Sequence, residues 1–259
     1  MPIHPTAIVD RTAEISAEAC IGPYCIVGPQ AFIADGVILD SHINIHGWTS
    51  IGRRCHFHSH CSVGTDPQDL KYKGEITRLE IGEDNVFREF VTLNRGTRGG
   101  HGITSIGNNN YFMSYSHVAH DCSVGNNVIM ANAGTLAGHV SVGDHATVGA
   151  FSAVHQFCRV GSHAFIGGFS VITRDALPYI KTVGERNQAK IYGINSIGLQ
   201  RKGFSEHTIN ELKQVYRLLF RSKMNAGDAL AKVKEQQWTT PEVSMLIEFI
   251  IGSERGFIR

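Results

Sequence analysis

A large apolar residue returns at every sixth position of this chain, and few other sequence features restrict a fold so tightly. Counting by six from Ile3 gives Val9, Ile15, Ile21, Val27, Ile33, Leu39, Ile45, Ile51, Phe57 and Val63 without a break. The row resumes at Ile81, Phe87 and Leu93, slips by one residue, and runs on from Ile106 through Phe112, Val118, Val124, Met130 and Leu136 to Ile172. The position two before is mostly Ala, Ser, Thr or Cys, and the position after is often Gly, as at Gly28, Gly107, Gly125, Gly149 and Gly167. One large side chain inside, one small one beside it and a turn at each end make one side of a coil. Three such sides close a triangular coil of 18 residues, and each coil buries its face against the next, which predicts a parallel β-helix. Cys25, Cys55, Cys61, Cys122 and Cys158 all fall at the small position and read as core packers.

The repeat is interrupted twice. Val63 and Ile81 are 18 residues apart, but Asp69 and Glu75 stand where apolar residues are due, so "TDPQDLKYKGEITRLE" reads as an excursion replacing one coil. From Leu93 to Ile106 the step is 13, which places a second loop in "NRGTRGGHG". Long loops on a rigid scaffold commonly carry function. After Ile172 the period changes. Ser205 caps a helix with Ile209, Leu212, Val215, Tyr216 and Leu219 on one face, and Thr240, Pro241 and Gly252 bracket another. The expected organisation is mainly β: a coil over 1–186, with loops near 65–80 and 95–104, and a small α-helical domain over 187–259.

Formal charge is +1 over 259 residues with 18% charged, which gives no reason to expect nucleic acid. No stretch approaches the roughly 18 apolar residues of a membrane span, and the first residues lack a basic segment followed by an apolar run. A soluble cytoplasmic chain is expected.

The stretch "SHVAHDC" at 116–122 carries the densest chemistry. With 18-residue coils, His120 stacks over Gly138 and Gln156, and Asp121 over His139, so that His117, His120, His139 and Gln156 converge on one edge. Asp121 could orient His120 only where strand alternation breaks, near a corner. An aspartate on one ring nitrogen leaves the other free as a base. A metal site and a polar surface corner remain open readings. The run "HFHSH" holds His56, His58 and His60 on alternate positions flanking Phe57, where they could simply line the outside of the coil.

The period resembles that of the left-handed hexapeptide β-helix proteins, and the left hand is implied by that resemblance alone. The γ-class carbonic anhydrases share this coil and bind zinc through histidines, but their ligand pair is spaced five apart rather than three, and counting back 36 from His120 reaches Asp84. From Pro2 to Arg259 the chain resembles the UDP-N-acetylglucosamine O-acyltransferase family through "QDLKY", "NRGT", "HVAHDC", "LAGHVSV", "AVHQF" and "GLQRKGFS" in that order. The resemblance implies transfer of an (R)-3-hydroxyacyl group from acyl carrier protein to the 3-hydroxyl of UDP-N-acetylglucosamine, the first step of lipid A biosynthesis, by a homotrimer without cofactor or metal. It makes His120 the general base, Asp121 its orienter and Gly138 an oxyanion donor through its backbone N–H. His117, His139 and Gln156 would position the sugar and thioester, Asp69 and Lys71 the sugar nucleotide. Asn195 and Arg201 would contact nucleotide or carrier, and Gly168 would set the acyl length.

Three departures stand out: Asn94 where members often have His, Ile197 where many have Glu, and two extra residues between Gly168 and Asn195. A small-molecule acetyltransferase using coenzyme A is the nearest rival on this fold. Arg201, Lys202, Lys213, Arg217, Arg221 and Lys223 suit an acidic carrier protein better.

Overall fold

Strands only two residues long, such as Val86–Phe87 and Thr135–Leu136, follow one another around a triangular coil in the computed structural model, which describes residues 3–222 and 224–259. They stack into three sheets of nine, eight and ten strands. The first runs from Ile8–Val9 to Val171–Ile172, the second from Glu14–Ile15 to Arg159–Val160, and the third from Cys20–Ile21 to Phe165–Ile166 and onward into Ile180–Val183 and Lys190–Ile194. Pairing is parallel except where Lys190–Ile194 turns back antiparallel on Ile180–Val183, so the third sheet continues past residue 186.

Two-residue strands need a sharp corner every six residues, and the backbone supplies it by entering the left-handed region. Tyr115, Asp121, Asn127, Ala133, His139 and His145 all have φ between 54° and 65°. Each such L-residue costs of order 1–2 kcal/mol. The coil offsets this cost by burying one large side chain per side: Ile33, Leu39, Phe57, Phe87, Phe112 and Leu136 are fully buried, and the rings of Phe57, Phe87 and Phe112 stack at 4.4 and 4.8 Å. Cys25, Cys55, Cys61, Cys122 and Cys158 are buried beside them as expected.

The two interruptions differ from their sequence reading in one respect. Val63 lies in the first sheet and Ile81 in the second, the next side round, so no coil is lost. Ile51 pairs with Ile81, 30 residues on rather than 18, and Leu93 pairs with Val118, 25 on. Insertions of twelve and seven residues therefore leave the same corner on successive coils, and the corner directly below them is His120–Asp121. Counting back 36 from His120 is consequently wrong, because the shifted register brings Arg95 above it and leaves Asp84 on a different corner, paired with Arg54.

Buried Arg95 ties the first loop down: it donates to the Gly64 carbonyl at 2.7 Å and the Tyr72 hydroxyl at 3.0 Å, and pairs with Asp66. Asn94 adds bonds to Thr65 Oγ1 at 2.6 Å and the Asp66 carbonyl at 3.2 Å.

Among the described residues four helices follow the coil: α1 (Ser196–Arg201), α2 (Glu206–Phe220), α3 (Ala226–Glu235) and α4 (Pro241–Ile251). Ser205 caps α2 through a bond from the Thr208 N–H at 3.0 Å, and the five apolar residues expected on its inner face are buried. Thr240 occupies the cap position of α4, but its hydroxyl donates to Glu211 of α2 instead. Arg159 locks the tail to the coil, bonding Asp175 at 2.9 Å and the Phe249 carbonyl at 2.8 Å while its guanidinium lies 4.2 Å over the Phe249 ring. Lys223 lies outside the described residues.

Phe87 is the middle of the buried ring stack, with neighbours above and below. Phe87→Ala should cost about 3–5 kcal/mol in chemical denaturation, the range for a buried phenylalanine whose site cannot collapse.

Candidate active site

Asp121 owes its position to the corner. Its φ of 59° breaks the strand alternation, so the carboxylate and the His120 ring meet although they are sequence neighbours. His120 Nδ1 lies 2.8 Å from Asp121 Oδ2, and the Asp121 side chain is fully buried. The second loop folds down over it. Thr97 donates from its N–H at 3.0 Å and from its hydroxyl at 2.6 Å, and the His101 N–H donates at 3.0 Å. A Cβ at Gly100 would lie 2.3 Å from the carboxyl carbon, so only glycine permits this approach.

Burial alone would raise the Asp121 pKa. The hydrogen bonds from Thr97 and His120 outweigh it and hold the carboxyl below its ordinary value of 3.8. An ionised carboxylate only accepts, so His120 donates from Nδ1, and in the neutral ring the lone pair is then on Nε2.

One coil on, Gly138 lies against that ring, where a Cβ would come within 2.7 Å of His120 Nε2. The Gly138 carbonyl accepts from the Phe157 N–H at 3.2 Å, while its own N–H has no protein acceptor among the described residues. His139 meets the His120 ring edge-on at 5.1 Å, lies flat on Phe157 at 4.4 Å, and holds Nε2 3.8 Å from Asp121. His117 sits on the strand leading into the corner, its Nδ1 2.7 Å from Thr92 Oγ1. Burial pushes both His139 and His117 below the usual histidine range, and the nearby His120 adds to this.

Asp69 and Lys71 of the first loop line a cleft of about 640 Å³ together with Thr97, His101, Asp121 and His139. Gln156 stands exposed on the next corner of the same column. The remaining expected residues lie elsewhere on the single chain. Gly168 is exposed on the corner between the third and first sheets, over Ala150 and next to the stacked rings of Phe151 and Phe169. Asn195, at the start of α1, donates to the His163 carbonyl at 3.3 Å on the third corner, and Arg201 ends that helix.

Thr97, Gly100 and His101 escaped sequence reasoning. Their signal was the inserted loop itself, which could fold only onto the corner beneath it. Arg159 and Glu254, which also line the cleft, carried no signal, since contacts between tail and coil are not periodic.

Two matches cover the latter part of the chain: the bacterial transferase hexapeptide family, over residues 103–138 and 139–174, and a family described as UDP N-acetylglucosamine O-acyltransferase, domain 2, over 175–258. A curated protein of Syntrophobacter fumaroxidans, named acyl-(acyl-carrier-protein)-UDP-N-acetylglucosamine O-acyltransferase, is 49% identical over 100% of both chains. The protein of that name from Thermodesulfovibrio yellowstonii is also 49% identical, over 99% of each. This chain belongs to the UDP-N-acetylglucosamine O-acyltransferase family. The solved LpxA structure from Acinetobacter baumannii superposes with a TM-score of 0.96 at 44% identity over the whole of both chains. Another family member, from Arabidopsis, superposes at 0.87 with 33% identity, covering 99% of this chain and 100% of its own. The fold is the left-handed parallel β-helix with a short helical tail: the coil was expected from the hexapeptide period, its hand from the family resemblance.

Replacing the Thr97 hydroxyl with a methyl group, Thr97→Val, should destabilise the chain by about 1.5–3 kcal/mol at neutral pH, the worth of a bond to a charged group. Asp121 is depressed in the folded state, so its contribution is full above the unfolded-state pKa and is lost as pH falls through the lower folded value. The gap between Thr97→Val and the parent in urea titrations should accordingly narrow as the pH is lowered below 3.8.

Proposed function

We propose that the chain transfers an (R)-3-hydroxyacyl group from acyl carrier protein to the 3-hydroxyl of UDP-N-acetylglucosamine, the first step of lipid A biosynthesis, with His120 as general base. The observation that carries this reading is the 2.8 Å contact of Asp121 with His120 Nδ1, which turns Nε2 toward Gly138, whose N–H has no protein acceptor among the described residues. Family membership supplies the substrates.

In the forward reaction Nε2 takes the proton from the sugar hydroxyl as its oxygen bonds to the thioester carbonyl carbon. Charge collects on the carbonyl oxygen, where the Gly138 N–H would stabilise it. The C–S bond then breaks, and the imidazolium returns the proton to the departing thiolate sulfur. Asp121 stays ionised throughout and steadies the cation. His117, His139 and Gln156 position the sugar and thioester, and Asp69 and Lys71 hold the nucleotide from the loop above.

The three corners of one chain carry different parts of this machinery: His120 on one, Gly168 on the second, Asn195 and Arg201 on the third. A closed trimer, in which a neighbour sets its Gly168 edge beside His120, would unite them, and the exposed Gly168 would then leave room for the acyl chain. Exposed Arg201, Lys202, Arg217 and Arg221 suit docking of an acidic carrier. Among the described residues no helix is long and apolar enough to cross a membrane, and a cytoplasmic setting suits the free thiols of all six cysteines.

A transfer assay on metal-stripped protein, with UDP-N-acetylglucosamine and (R)-3-hydroxyacyl carrier proteins of graded length, tests the whole reading. Turnover is expected without added metal, and His120→Ala should lower kcat about 10²–10⁴-fold. A near-normal rate in that variant would remove His120 as the base. Inactivity across the panel with activity on acetyl coenzyme A would replace the substrate assignment.

A further inference from the structure

We propose that Asp40, His56 and His58 form a binding site for a late first-row divalent cation such as Zn²⁺, on the outer face of the ten-stranded sheet and apart from the His120 cleft. The coil register creates the group. Phe57 points inward and is fully buried, which turns His56 and His58 outward on either side of it. Leu39 pairs with Phe57, so Asp40 lies beside His58 one coil earlier.

The Asp40 carboxylate reaches both rings, with Oδ1 2.9 Å from His56 Nε2 and Oδ2 3.1 Å from His58 Nδ1. The three ligand atoms lie within 4.8 Å of one another, and the ring centroids are 4.2 Å apart with the planes tilted by 31°. Two imidazole nitrogens and one carboxylate oxygen form a borderline donor set that suits zinc and leaves a fourth position for water.

A second trio, His120, Asp121 and His139, has similar spacing but a different chemistry. There the carboxylate is fully buried and already accepts from Thr97, His101 and His120, so its lone pairs are committed. Among the described residues the Asp40 carboxylate accepts only from His56, with His58 Nδ1 at ion-pair distance, and its side chain is 36% exposed, so a cation can reach it. Arg88, one coil further along, would repel a cation, but Glu89 neutralises it through bonds of 3.1 and 3.0 Å. Because the ligands come from two coils, a bound ion would staple one coil to the next.

The test is calorimetric titration of the metal-stripped full chain with Zn²⁺, with Co²⁺ absorption reporting the coordination geometry. One equivalent should bind in the micromolar range or tighter, give a tetrahedral Co²⁺ spectrum, and raise Tm as any ligand of the folded state does. Asp40→Asn and His58→Gln, both close in shape to the parent, should each weaken binding at least about tenfold, as loss of a metal-site partner does, while acyl transfer is unchanged. His120→Ala should bind as the parent does. Absence of one-to-one binding, binding undiminished in the Asp40→Asn, His58→Gln double variant, or loss of binding in His120→Ala would each overturn the proposal.

Discussion

Every distance that matters in this molecule is set by the in-register stacking of one coil on the next. Parallel ladders such as Thr135 with Ala153 and Leu136 with Val154 convert a sequence interval of 18 into direct contact. A residue's neighbours are then fixed by its place in the period, and a side chain on a corner keeps its place because the buried residues on either side cannot rotate out of the core. The stiffness suits a site whose proton transfer tolerates little error in position.

The two insertions exploit that stiffness without disturbing it. Both leave the chain at one corner and return to the next side in phase, so the core column is uninterrupted from Val63 to Leu93 to Val118. Their backbone groups need partners, and the corner below offers the Asp121 carboxylate. The carboxylate in turn needs donors to remain charged when buried. Loop and base therefore order each other: the bonds from Thr97 and His120 keep Asp121 ionised, the His101 N–H also donates to it, and Asp121 fixes the ring of His120.

Coil, histidine column and helix α2 were legible because each expresses a strict period, which survives even when individual residues vary. The register across the insertions was not. Arithmetic from His120 back to Asp84 fails because twelve and seven residues leave the period, and sequence cannot tell whether a gap of 18 replaces a coil or loops out of a corner. Asp40 went unnoticed beside His56 and His58 for a related reason, since its relation to them exists only across coils. Helix α3 was not singled out although its Asn225 cap is a helix-start signal, because its ten residues are short for a periodic reading.

The same carboxylate–imidazole contact has different consequences in the two trios. At Asp121 the surrounding donors take up the remaining lone pairs, so the anion can act only by holding and steadying one imidazole. At Asp40 no other donor among the described residues competes, and the two histidines present nitrogens to a carboxylate that water can also reach. Three ligating side chains within reach of one another do not by themselves define a metal site. What separates a catalytic base from a cation ligand set here is how fully the carboxylate's own hydrogen-bonding capacity is already used, a property that depends on the loop overhead at 95–102 and on the bare sheet face at 40–58.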